Sequence, residues 1–261
     1  MRGLRSLLAA AALAAGLVAS PAVRPAVAET AQEAPVPAAQ KWSFSGILGT
    51  VDLASAQRGF QVYSEVCAVC HSMRQLHYRD LTGLGLTMDQ VKAIAASFTV
   101  PQGFDDQGAP REGPATPASQ FRSPYPNEKA ARATNNGSLP PDLSLIVNAR
   151  EFEADYVFGL LTGYADPPAS MKMQDGMNYN RIFPGHQIGM PRPLQDGQVT
   201  FADGTANTTE QMSRDVVTFL MWAANPEMTE RKQIGSRVIL FLILLTGVTY
   251  CVKRKIWSDV H

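Results

Sequence analysis

Cys67, Cys70 and His71 place two thiols and an imidazole within five residues, Cys67-Ala68-Val69-Cys70-His71. C-x-x-C-H is the spacing of covalent haem attachment. Two thiols on a short bent segment can add to the two vinyl groups on one side of a porphyrin. The adjoining histidine then aims a ring nitrogen at the iron. Two other chemistries use the same residue types. A structural zinc site needs a second pair of ligands, and the only other cysteine, Cys251, lies in an apolar run. A redox dithiol of the thioredoxin kind needs a strand–helix–strand setting, which the surrounding pattern lacks. The motif therefore predicts one covalently bound haem c, with His71 as an axial ligand.

The ligand on the opposite face of the iron separates an electron carrier from a haem catalyst. His77 is too close to His71 to reach that face and reads as a surface or loop residue. Met190 leads among the rest, because Gly189 and Pro191 bracket it and would hold a stiff loop close to a porphyrin. Met171, Met173, Met177 and His186 are rivals on residue type and position, and Met190 could also be ordinary apolar filler.

Positioning such a motif requires helices. Asp52 is a fitting N-cap for a helix over about 53–66, with Leu53, Ala56, Phe60, Tyr63 and Val66 at helical spacing. Gly59 on that helix would permit another helix to come close. Further helices are predicted over about 87–97, about 152–161 and from Thr208 or Thr209, where Thr208 and Gln211 suit a capping box. Pro226 ends the last of these. The Pro- and Gly-rich residues 101–126, the stretch 130–141 and the stretch 166–204 read as loops. No segment alternates steadily, so little sheet is expected. Loops of that length in one domain need something to organise them, and a haem would serve.

The two ends differ from the body. Arg2 and Arg5 precede an apolar, Ala-rich run, and Ala26-Val27-Ala28 offers a cleavage site, so residues 1–28 read as a secretory signal cut after Ala28. Residues 231–261 read as a membrane anchor. Its apolar span, about 234–252, reaches about 28 Å. Arg237 can snorkel at one end; Lys253, Arg254, Lys255 and Trp257 close the other. The lone thiol of Cys251 inside the span reads as a small hydrophobe. Export of residues 29–230 would put that domain in the periplasm of a bacterial inner membrane, with Val260 and His261 in the cytoplasm. The chain's formal charge is +0, but residues 29–230 hold 14 basic and 22 acidic residues, a net of −8. Such a domain is no nucleic-acid binder, and its acidic groups, Glu151, Glu153, Asp155, Asp166 and Asp175 among them, would attract a basic partner.

A series of motifs in fixed order gives a resemblance. These are Val66-Cys67-Ala68-Val69-Cys70-His71-Ser72-Met73; Ala130-Ala131-Arg132-Ala133 with Asn135-Asn136-Gly137; Leu139-Pro140-Pro141-Asp142-Leu143-Ser144; Asp155-Tyr156-Val157-Phe158 with Leu160-Leu161-Thr162-Gly163-Tyr164; and Phe183-Pro184-Gly185 with Ile188-Gly189-Met190. Over about residues 42–258 the sequence resembles the cytochrome c1 family, the haem subunits of quinol–cytochrome c reductase (bc1) complexes. The resemblance implies a mainly α, class I cytochrome c-like haem domain with long loops and one C-terminal transmembrane helix. It implies Met190 as the second axial ligand, and Arg150, Tyr156, Asn135, Pro140, Pro141, Leu160, Phe183 and Ile188 around the haem, Arg150 beside a propionate. It implies cytochrome b and a Rieske iron–sulfur protein as partners in a dimeric complex, the Rieske protein as electron donor and a cytochrome c as acceptor. Some bacterial members carry an extra cysteine pair in the haem domain, and this chain has none. A stand-alone membrane-tethered carrier, and a haem peroxidase with a labile distal ligand, are the competing functions.

Overall fold

The computed structural model describes residues 35–259; the expected signal sequence with its expected cleavage site and residues 260–261 lie outside it. Six α-helices carry the described residues: α1 (Leu53–Glu65), α2 (Met88–Ala96), α3 (Glu128–Thr134), α4 (Glu153–Thr162), α5 (Thr209–Ala224) and α6 (Met228–Ile256). The strands form two two-stranded antiparallel pieces, β1 (Thr99–Phe104) with β2 (Pro110–Pro114) and β3 (Asn178–Tyr179) with β4 (Gln187–Ile188). The mainly α expectation holds.

The starts of the helices follow local chemistry. The Asp52 side chain accepts from the Ala54 and Ser55 amides to begin α1. Thr87 and Gln90 form a full capping box on α2. On α5 only half of the expected box forms. Thr208 accepts from the Gln211 amide, while the Gln211 side chain turns inward and donates to Asp215 at 3.1 Å.

The core is built on the crossing of α1 and α5. At Gly59 an added Cβ would stand 2.0 Å from the Asp215 carbonyl oxygen and 2.7 Å from the Phe219 Cβ, so the two backbones touch there. A polar cluster locks the same crossing. Arg58 makes a two-pronged pair with the fully buried Asp215, at 2.8 and 2.9 Å, and reaches Asp203 at 2.8 Å. Ser55 donates to the same carboxylate at 2.7 Å. Beside it Phe60, Tyr63, Phe219, Phe121 and Tyr78 pack ring on ring, with centroids 4.8–6.1 Å apart.

Two stretches read as loops contain regular structure. Residues 99–114 form a hairpin: Asp105 accepts from the Gln107 and Ala109 amides, and Gly108 takes the positive φ the turn needs. The prolines hide it because they sit where a two-stranded ribbon tolerates a missing donor. Within 130–141, Asn127 caps the short α3, which ends as the Asn135 amide bonds back to Ala131 and Arg132.

Helix α6 is 29 residues long, about 43 Å, and its side chains from Val238 to Val252 are exposed and overwhelmingly apolar. It is long and apolar enough to cross a membrane, and Lys253, Arg254 and Lys255 occupy its last turn. Its first turns are fastened to the domain. Asn225, just before it, exchanges side-chain hydrogen bonds with Asn148; Thr229 accepts from the Val51 amide; Lys232 donates to the Phe44 carbonyl.

Candidate haem-binding site

The end of α1 delivers the motif. After Val66 the chain tightens into a 3₁₀ turn over Cys67–Val69, and the Cys70 and His71 amides both donate to the Cys67 carbonyl, at 3.1 and 2.9 Å. This bend gathers Cys67, Cys70 and His71, all half-buried, onto one short segment. Burial, aided by neighbouring Cys70, pushes the Cys67 thiol up to about 12. A catalytic dithiol needs the opposite shift.

The His71 ring is fixed from behind. Its Nδ1 donates to the Pro141 carbonyl at 2.8 Å, which leaves Nε2 as the lone-pair nitrogen. Burial lowers the His71 pKa and outweighs the carbonyl and the nearby Asp142, so the imidazole is neutral, as a metal ligand must be. Pro140 is half-buried in the same segment and Pro141 is exposed. Burial pushes the Asp142 carboxyl up, yet hydrogen bonds from Ser144, Arg74 and Ser72 together hold it below its usual range.

The Met190 segment closes on this one. An added Cβ at Gly189 would meet Ser138 Oγ at 2.4 Å, so the loop before Met190 lies directly on the loop that leads to Pro141. Tyr164, from the end of α4, donates its hydroxyl to the Met190 carbonyl at 3.0 Å, and Arg192 donates to the Tyr164 carbonyl at 2.8 Å. Met190 packs half-buried against the main core, as Tyr156, Cys67 and Ala68 also do. Met171, Met173 and Met177 are also half-buried but do not join that core, and Met177 lies with its sulfur 3.9 Å from the Gly189 Cβ position. His186 is absorbed in the β3–β4 turn, where it takes a positive φ, donates from Nδ1 to the Asn180 carbonyl and tilts against Tyr179.

The remaining expected residues divide. Tyr156 is half-buried, and burial raises its hydroxyl pKa against the opposing charge of Arg150. The Arg150 guanidinium is exposed and bonds only to the Ala149 carbonyl. Asn135 donates to the Tyr125 hydroxyl and the Ala131 carbonyl. Leu160 and Phe183 are half-buried, Ile188 is buried, and all three are tied to one stretch by residues that the sequence did not single out. Asn180 is fully buried; it donates to the Leu160 carbonyl and accepts from the Ile182 and Phe183 amides. Nothing in a polar loop marks one asparagine as its buried hub. Tyr164 and Asp142 lay inside motifs already noticed.

The residues present fit a haem. The His71 imidazole has one tautomer fixed, two thiols share its bend, and the half-buried Met190 packs against the same core as Cys67 and Ala68. A mainly helical domain with such a site, mounted on a helix of membrane length, defines a membrane-anchored c-type cytochrome. The profile of the cytochrome C1 family matches residues 42–260, and the chain belongs to that family. It is 44% identical over 237 residues to "Cytochrome c1" of Rhodospirillum rubrum, covering 85% of this chain and 87% of that one. It is 47% identical over 225 residues to "Cytochrome b-c1 complex catalytic subunit, mitochondrial" of Candida albicans, covering 86% and 78%. It is 43% identical over 247 residues to "Cytochrome b/c1" of Bradyrhizobium diazoefficiens, covering 86% of this chain but only 36% of that longer protein.

Proposed function

We propose that this chain accepts one electron from a Rieske iron–sulfur protein and passes it to a cytochrome c, within a dimeric complex that also contains a cytochrome b. Haem c supplies the one-electron couple. Cys67 and Cys70 would hold it by thioethers, His71 Nε2 and the Met190 sulfur would ligate its iron, and Arg150 would neutralise a propionate. The observation that carries this reading is the contact between Gly189 and Ser138, which joins the methionine loop to the loop tethering His71. With two protein side chains available to ligate the iron, the chain's own task would be electron transfer without breaking a substrate bond. The exposed Glu151, Glu153, Asp166 and Asp175 favour a basic acceptor. Asp155 does not belong with them, because it accepts from Trp42 Nε1 at 2.7 Å and from the Gln40 amide.

The test is purification in mild detergent. The pigment should stay on the chain in a denaturing gel, and cytochrome b and a Rieske protein should come with it. Release of the pigment by acidified acetone would refute thioether attachment. Purification without either partner would favour a stand-alone carrier.

The same reading has residues 29–230 in the periplasm of a bacterial inner membrane and α6 as the single anchor. A chain ending at Ser236 keeps the Asn225, Thr229 and Lys232 fastenings and loses the apolar span. It should appear as a soluble red periplasmic protein. Sedimentation of that truncated chain with membranes lacking partner subunits would reject the single-anchor arrangement.

A further inference from the structure

Asp142 directly follows the proline whose carbonyl takes the His71 Nδ1 proton. Its Oδ2 accepts from the Ser72 hydroxyl and the Arg74 amide, both at 2.8 Å, and its Oδ1 accepts from the Ser144 amide at 2.9 Å. On either side lie further cross-links. The Leu143 amide donates to the Ser72 carbonyl at 2.8 Å, and the Gln75 amide donates to Ser144 Oγ at 3.1 Å. Ser72 and Ser144 are buried. The stretch after His71 and the stretch after Pro141 are thus laced together, with one carboxylate at the centre.

We propose that Asp142 is a positioning residue for His71: its carboxylate clasps the two stretches so that the Pro141 carbonyl stays on Nδ1, and through that bond it sets how strongly Nε2 donates to iron. This rests on the reading of His71 as an axial ligand. A hydrogen bond from Nδ1–H to a carbonyl makes the imidazole a stronger donor, which favours the more oxidised metal. The negative charge of the clasp acts in the same direction. A carboxylate suits the place because three donors converge on its two oxygens. An asparagine would turn its NH₂ toward either the Arg74 or the Ser144 amide, leaving one N–H without an acceptor in each orientation.

Two variants separate position from charge. Asp142→Asn removes the charge and one rung. Ser144→Ala keeps the charge and removes the rung to Gln75. The full-length, haem-loaded chain is equilibrated in detergent with a redox dye, and exchange of the His71 Nδ1 proton is followed by NMR. The reduction equilibrium should shift toward the reduced form about tenfold in Asp142→Asn and about threefold in Ser144→Ala, and the proton should exchange faster in both. Parental equilibrium and exchange in Ser144→Ala would overturn the clasp, leaving Asp142 a charge alone. Should Asp142→Asn fail to accumulate, Ser72→Ala, which removes one other rung, takes its place with the same expected direction. A His71→Gln control distinguishes the two levels. Retention of the parent's low-spin ferric spectrum there would sink the ligand reading. Loss of that spectrum together with parental clasp variants would overturn only the clasp.

Discussion

Met190→Leu should abolish productive electron acceptance while leaving the pigment on the chain. The substitution preserves volume and the apolar contacts with the core. The loop stays in place, because the Tyr164 hydroxyl bonds the Met190 backbone carbonyl and not its side chain. On the proposed ligation, what disappears is a soft sulfur that favours the reduced metal. The potential should therefore fall, and the iron should become high-spin or take a foreign ligand. A fall of roughly 120 mV already weakens the one-electron equilibrium about a hundredfold, at about 59 mV per tenfold. Potentiometry and the ferric spectrum read the result directly. An unchanged potential and spectrum would move the assignment to Met177, whose sulfur lies nearest the Gly189 bend, or to Met171, Met173 or His186.

Gly59→Ala should be strongly destabilising. Its Cβ would be placed 2.0 Å from the Asp215 carbonyl oxygen, and that neighbour is backbone, which cannot rotate aside. Helices α1 and α5 would have to separate along the crossing. That separation loosens the paired hydrogen bonds of Arg58 to a carboxylate with no access to water. Overpacking and a weakened buried pair together are expected to remove about 3–5 kcal/mol, a large share of a typical domain's stability. In a domain of this size the melting temperature should drop by about 10 °C or more. The check is thermal unfolding of the haem-loaded chain, with Gly59→Ser as a second variant. A parental midpoint for both would show that the α1–α5 crossing has room for a side chain.

The sequence made the attachment motif and most helix starts legible, because both depend on residues within a few positions of one another. Asp52 caps α1 and Thr87 caps α2 for reasons visible in four residues. Gly59 was legible as a place of close approach, though not against which helix. The lone α5 box failed for a long-range reason: Gln211 had a better partner in Asp215, whose burial no local pattern announces. The hairpin at 99–114 was hidden by its prolines. The site was legible as a set of residue types and not as an arrangement. That the Pro141 carbonyl would stand behind His71, that Asn180 would knit Leu160 to Phe183, and that Ser138 would seat against Gly189 are facts of packing between segments tens of residues apart.

The fastening of α6 decides how the domain can move. A leash would let a periplasmic head wander and tumble above the bilayer. Here Asn225 ties down the chain just before the helix, and Thr229 and Lys232, one turn apart, fasten its first turns to the domain. That makes the helix a post bolted to the head. Its tilt in the lipid and the facing of the haem crevice then become one quantity, so anything that leans the post swings the crevice with it. A donor or acceptor that must approach at close range meets a station with a set orientation, and the travelling falls to the visitor.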